Sequence, residues 1–173
     1  MIYNLFSTPI FYGDIDSKKI EFEKQNEFIP SWMSRAQSTK SHNFVNALKN
    51  ESKIYLLKKI SELMSEKFTG FEVDLINIWT NKYKNNDYQE PHIHPKSHFS
   101  FIIYSKVQES KTYFLAPNDY LVESFGMESI YKTKDFLRFK NNSIVIFPSF
   151  LPHGVQPSEN QETIAGNLLF KQH

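Results

Sequence analysis

The sequence predicts a mainly β protein, an antiparallel sandwich or jelly roll with flanking helices, on three observations. After Gly70 the chain breaks into short β-rich segments bounded by Asn, Pro, Ser or Gly, with no helical period between them to serve as a crossover. Before Gly70 one segment carries a clear 3.6-residue period. Of 173 residues 40% are hydrophobic and 16% aromatic, enough for a sizeable core at a length that suits one domain spanning 1–173.

In chain order, Ile2 to Phe11 is apolar and aromatic around Ser7-Thr8-Pro9 and reads as an edge strand broken by its proline. Asp16-Ser17 can cap a helix running through Ile20 and Phe22 toward Pro30. Residues 31–50 are polar and read as an ordered loop. The clearest helix is 51–68. Leu56, Ile60, Leu63, Met64 and Phe68 share one face, Lys58, Lys59, Glu62 and Glu66 the other, and Thr69-Gly70 ends it. Such a helix braces a sheet. The strands follow as Phe71 to Thr80, Phe99 to Val107, Thr112 to Leu115, Ser143 to Phe147 and Thr163 to Phe170. Two long irregular stretches, 31–50 and 117–142, have the length of functional lids. Within them Trp32, Arg35, Tyr120, Tyr131 and Arg138 are candidates to meet a substrate, against the plainer reading of solvated surface.

Composition excludes several functions. Twenty Lys and Arg against nineteen Asp and Glu leave +1 with no basic run, which disfavours an electrostatic nucleic-acid binder. The absence of cysteine removes disulfide scaffolds, thiolate zinc sites, iron–sulfur clusters and a cysteine nucleophile together. Glycine numbers only five, and neither phosphate-cradling glycine motif occurs. No apolar stretch approaches the ~20 residues of a membrane span, and the start of the chain lacks a signal-peptide core, so a soluble cytoplasmic protein is expected. Fourteen asparagines alongside many lysines suit an AT-rich genome such as a phage's, which would make that the host cytoplasm.

Chemistry concentrates in the histidines. Three of six fall in Pro91-His92-Ile-His94-Pro-Lys-Ser-His98, and strand alternation turns His92 and His94 to the same side. A second motif, Phe147-Pro-Ser-Phe-Leu-Pro-His153-Gly-Val, presents His153 after a proline-stiffened turn. The gap of 59 positions from His94 to His153 holds about five strands at ~8–12-residue spacing, enough to return His153 beside the pair from a facing sheet. Two histidines early and one late suit a borderline metal bound through nitrogen with coordination positions left open. The alternative is a turn histidine bonded to backbone. Glu90, two residues before His92, is a candidate fourth donor, with Pro91 between them against it.

These residues resemble a family. Asn4-Leu-Phe-Ser-Thr-Pro-Ile-Phe, Trp79-Thr-Asn-Lys-Tyr-Lys, the stretch from Pro91 to Tyr104, the Phe147-to-Val155 turn and Thr163-Ile-Ala-Gly-Asn167 look like the 2-oxoglutarate/Fe(II) oxygenases. The likeness is to a small bacterial and phage subgroup that writes its metal motif H-x-H-P, and to prolyl 4-hydroxylase-like enzymes. It implies a double-stranded β-helix, a cupin-like jelly roll, with Fe(II) on His92, His94 and His153 and 2-oxoglutarate as cosubstrate. It also implies a C–H hydroxylation using O2 and forming succinate and CO2, on a substrate that the sequence leaves unidentified. Tyr83 is the implied cosubstrate-holding tyrosine and Tyr104 the second candidate, though either reads equally as core aromatic. Where the family carries an arginine for the far carboxylate of 2-oxoglutarate, this chain has Gln161. Neutral hydrogen bonds in place of a bidentate cation weaken binding by about 1.5–3 kcal/mol. A non-catalytic metal or small-ligand module on the same fold is therefore the second hypothesis. A structural protein without metal is the third.

Overall fold

The structure, a computed structural model, describes residues 7–24, 27–31, 35–39 and 47–173. Eleven strands form two sheets among these residues. They are β1 (Phe11–Asp14), β2 (Phe28–Pro30), β3 (Gln37–Thr39), β4 (Phe71–Tyr83), β5 (Asp87–His92), β6 (Phe99–Lys106), β7 (Thr112–Leu115), β8 (Lys134–Asp135), β9 (Ser143–Pro148), β10 (His153–Ser158) and β11 (Gln161–Gln172). The larger sheet runs β1-β9-β6-β11-β4-β3-β2 and the smaller β5-β10-β7-β8, every pairing antiparallel. This is the jelly roll that the strand spacing predicts.

Alternation along the central strands builds two cores. On one face of the large sheet Phe101, Ile103, Ile144, Ile146, Ile164 and Leu168 meet Leu56, Ile60 and Met64 of helix α1 (Asn50–Met64). On the other, Ile102, Tyr104, Val145, Phe147 and Ala165 face the smaller sheet, where Phe114 joins them. Each α1 side chain so buried contributes about 1.5–3 kcal/mol. The helix is a brace, as its period predicts, but it ends at Met64 rather than 68. The Phe68 amide still reaches the Met64 carbonyl in a closing turn. Gly70, at φ +60, then turns the chain into β4, a conformation that side chains with a Cβ rarely adopt.

The N-terminal third differs from expectation. The first described strand starts at Phe11, after Pro9, whose missing N–H cannot join a ladder; of the predicted Ile2–Phe11 strand, residues 2–6 lie outside the described residues and 7–10 are irregular. The predicted helix after Asp16 is only a 3-10 turn over Ser17–Lys19, capped by Asp16. Tertiary contacts override it. Ile20 enters the core, the Glu21 amide donates to Ser52 Oγ, and Phe22 bridges to Leu48. The expected loop at 31–50 contains β3, with 32–34 and 40–46 outside the described residues. The 117–142 stretch holds a short helix α2 (Asp119–Ser124), which buries none of its residues, and the two-residue β8.

Candidate metal centre

Strand pairing brings the distant histidines together. β10 runs antiparallel between β5 and β7, and its first residue, His153, pairs with His92, the last of β5. His94 lies two residues past the end of β5, its amide bonded to the Ser149 carbonyl at 2.9 Å. The three rings converge, with centroids 4.4 Å apart for His92–His153, 5.0 Å for His92–His94 and 5.1 Å for His94–His153. One nitrogen from each ring lies within 4.8 Å of the others, and no carboxylate joins this group among the described residues. Glu90 points elsewhere: its carbonyl accepts from His92 Nδ1, while its side chain is exposed and acts electrostatically on Tyr113.

Hydrogen bonding fixes the tautomers. His92 Nδ1 lies 2.9 Å from the Glu90 carbonyl and His153 Nδ1 3.0 Å from that of Leu151. A carbonyl only accepts, so both Nδ1 atoms carry the proton and both Nε2 lone pairs face inward. His94 Nε2 and His153 Nε2 are 3.3 Å apart. Two nitrogens each ~2.1 Å from one ion and at a right angle stand about 3.0 Å apart, so the cluster fits a divalent ion. Burial lowers all three imidazole pKa values, that of His94 to about 4 with help from neighbouring His92. The rings are neutral at pH 7, the state that ligates metal.

Burial of neutral imidazoles also couples stability to pH. In the unfolded chain these groups take up protons near pH 6.5, before the folded protein does, so falling pH favours unfolding. The metal-free protein is therefore expected to lose stability as pH drops from 6.5 through about 4. Melting temperatures across that window check this, and the slope should be shallower for His153→Gln. Equal slopes would contradict it.

His94 is held from two sides. Trp79 of β4 stacks on its ring at 5.6 Å and 22°. Behind it, Ser97 Oγ donates to the His94 carbonyl at 2.9 Å and meets Ser149 Oγ at 2.9 Å. Ser149 Oγ touches Ser100 Oγ, which donates to Asn167 Oδ1, both at 2.8 Å. The three hydroxyls bring three protons to these four contacts, so Ser149 donates to Ser97 or to Ser100 but not to both at once, and Ser149 and Ser100 are buried. Ser149→Ala interrupts this relay. Metal affinity should fall by about 10-fold, as for other lost outer-shell partners, with little change in fold; isothermal titration with Mn(II) reads the change, and unaltered affinity would free the serines of this role.

The cluster opens on a cavity of about 380 Å³ between the sheets. Inward alternation of β4 and β11 lines it with Asn77, Trp79, Asn81 and Tyr83 opposite Asn167, Ala165 and Thr163. Gly154 follows His153 for a steric reason: a Cβ there would lie 2.7 Å from the Gln89 carbonyl and 2.6 Å from the Tyr113 hydroxyl. No Lys, Arg, Asp or Glu lines the cavity among the described residues.

The other candidate residues are placed as follows. Tyr83 lines the cavity, and its hydroxyl lies 3.5 Å from Gln89 Oε1, a long contact. Tyr104 is fully buried on the same inner face but outside the cavity lining, its hydroxyl on Thr112 and its ring stacked on Phe139. Gln161 pairs with Tyr83, two residue pairs beyond Thr163 and Asn81. It lines a separate hollow with Lys111, and its Nε2 has no partner among the described residues. Arg35, Tyr120, Tyr131 and Arg138 do not line the cavity; Arg35 sits over Tyr88 and Arg138 pairs with Glu109. Trp32 is outside the described residues. Sequence reasoning missed Asn81, Thr163 and the ring of Trp79 as cavity residues, although the two-residue alternation of β4 and β11 places them on one face.

Residues 77–165 match a family described as "Putative 2OG-Fe(II) oxygenase". Among curated proteins no sequence matches the chain. Several solved structures share the fold at low identity. A 2OG-Fe(II) oxygenase-family oxidoreductase from Burkholderia pseudomallei superposes with a TM-score of 0.56 at 10% identity, over 83% of this chain and 72% of that one. A Pseudomonas putida prolyl-4-hydroxylase gives 0.54 at 13%, over 85% and 78%. HygX from Streptomyces hygroscopicus, with nickel and 2-oxoglutarate bound, gives 0.56 at 9%, over 83% and 73%. These likenesses identify the fold as the double-stranded β-helix.

Proposed function

The chain belongs to the 2OG-Fe(II) oxygenase family, and on that premise we propose that it is an Fe(II)- and 2-oxoglutarate-dependent oxygenase whose metal is held by His92, His94 and His153. The observation that carries this reading is the convergence of three neutral imidazoles on one point at the mouth of a cavity. When bound, iron and 2-oxoglutarate together supply the oxidative chemistry, consuming O2, releasing succinate and CO2 and hydroxylating a C–H bond of the substrate. The protein's own part is placement. Nδ1–H bonds to the Glu90 and Leu151 carbonyls hold two rings with Nε2 inward, and Trp79 and the serine relay hold the third. Three protein donors leave coordination positions for small ligands. Phe147, edge-on to His153 at 4.6 Å, and Phe114 shield the cluster from water on the core side. Tyr83, Asn81 and Thr163 offer hydroxyl and amide groups to the cosubstrate inside the cavity.

Anaerobic Fe(II) with 2-oxoglutarate should raise the melting temperature beyond Fe(II) alone, and admitting O2 should yield succinate. A folded sample that takes up metal but neither binds 2-oxoglutarate nor forms succinate would instead support the non-catalytic binding module, which a cavity without Lys or Arg among the described residues favours.

A further inference from the structure

The donor set and the cavity share a peculiarity of charge. A facial site of two histidines and one carboxylate leaves a divalent ion with one net positive charge. Here the group contains three imidazoles and no carboxylate among the described residues, so a bound divalent ion would keep both of its charges. The cavity beside it offers no Lys or Arg among the described residues to pair with an anion. Its inner end presents only neutral groups. Asn81 and Tyr83 lie two and four residues beyond Trp79 on the inward face of β4, and Asn81 Nδ2 reaches Thr163 Oγ1 at 3.4 Å.

These two departures offset each other. We propose that His94 and the cation-free cavity form one charge balance, in which the metal's undiminished charge serves both carboxylates of a 2-oxo dicarboxylic acid whose far end is held by the neutral donors Asn81, Tyr83 and Thr163. Two positive charges on the ion then meet two negative charges on the cosubstrate, and the buried cavity is neutral without an arginine. A carboxylate in place of His94 would leave that cavity one charge negative. The burial that makes unpaired charge costly would then act against the far carboxylate. This inference rests on the oxygenase reading above and concerns how the same site chooses its cosubstrate.

The test compares 2-oxoglutarate with 2-oxopentanoate, which keeps the metal-binding end and five carbons but lacks the far carboxylate. Isothermal titration on the anaerobic, Fe(II)-loaded full chain gives the ratio of the two affinities, and metal content is measured in parallel. His94→Asp should lower the ratio by about 10- to 100-fold. Adding Thr163→Lys to His94→Asp should restore most of it. Loading the unaltered chain with Fe(III) in place of Fe(II) should raise the ratio, which keeps the test open if His94→Asp loses its metal. A ratio indifferent to both the substitution and the ion's charge overturns the charge balance while leaving the oxygenase reading intact. Failure of the Fe(II)-loaded wild type to bind 2-oxoglutarate overturns both.

Discussion

Replacing His153 with alanine should abolish tight divalent-metal binding while leaving the jelly roll folded. His153 lies at the start of β10, in register with His92, and is the ligand that closes the cluster from the far part of the chain. Losing one of three donors removes the convergence on which affinity depends, and the expected loss exceeds about 100-fold, beyond the 10- to 100-fold seen when only an outer-shell partner is lost. The ring is 4% exposed and packed against Phe147 and Phe114, so its removal also leaves a void and lowers the melting temperature of the metal-free protein modestly. The informative quantity is the increment of melting temperature produced by metal. It should vanish in His153→Ala and persist in His98→Ala, because His98 Nδ1 sits on the Phe170 backbone away from the cluster. An undiminished increment in His153→Ala would remove this residue from the metal site.

The second large effect is on stability alone. Ile60 is completely buried where α1 braces the outer face of the large sheet, with Leu56 and Met64 a turn away on either side. Ile60→Ala removes three heavy atoms from a packed core and should cost about 2–5 kcal/mol, read from urea unfolding. The brace and the histidine cluster lie on opposite faces of that sheet. Metal stoichiometry of the folded Ile60→Ala protein, measured well below its melting temperature, should therefore equal that of the wild type. A cost under 1 kcal/mol would mean that the helix is not the clamp its buried face implies. A loss of metal binding would mean that the two faces are coupled.

Much of this architecture is legible in the sequence, and what is not has definite causes. The strands at 71, 99, 143 and 163 are readable because their alternation is set by two cores pressing on the larger sheet, and the one at 112, in the smaller sheet, because Phe114 packs into the second of those cores. The β4 and β11 strands run longer than their apolar cores, to Tyr83 and back to Gln161, because ladder pairing continues through Asn81 and Thr163, which carry no hydrophobic signal. β5 and β10 are harder to see. Asp87–His92 includes a proline and five polar or charged residues, and its strand character comes from pairing with β10 rather than from propensity. The helix expected from Asp16 toward Pro30 fails for the complementary reason, since a good cap cannot outweigh the pull of Ile20 and Phe22 into long-range contacts.

The histidines show the same division. Their alternation and the proline turn before His153 bring the three residues to mind, but only the β5–β10 register sets them beside one another. The hydrogen bonds that orient the rings run to the backbone carbonyls of Glu90 and Leu151, groups that every residue has and that no sequence pattern marks. The lack of cations among the described residues of the cavity is likewise invisible from Gln161 alone. That residue pairs with Tyr83 but lines a separate hollow, and the neutral surface is made by Asn81, Tyr83 and Thr163 instead.

Anomalous diffraction from crystals soaked anaerobically in Mn(II) and 2-oxoglutarate addresses the metal assignment most directly. The expected map has one strong peak bounded by the Nε2 atoms of residues 92, 94 and 153. A peak elsewhere, or none at these rings in a fully soaked crystal, would contradict the assignment of a metal to this site.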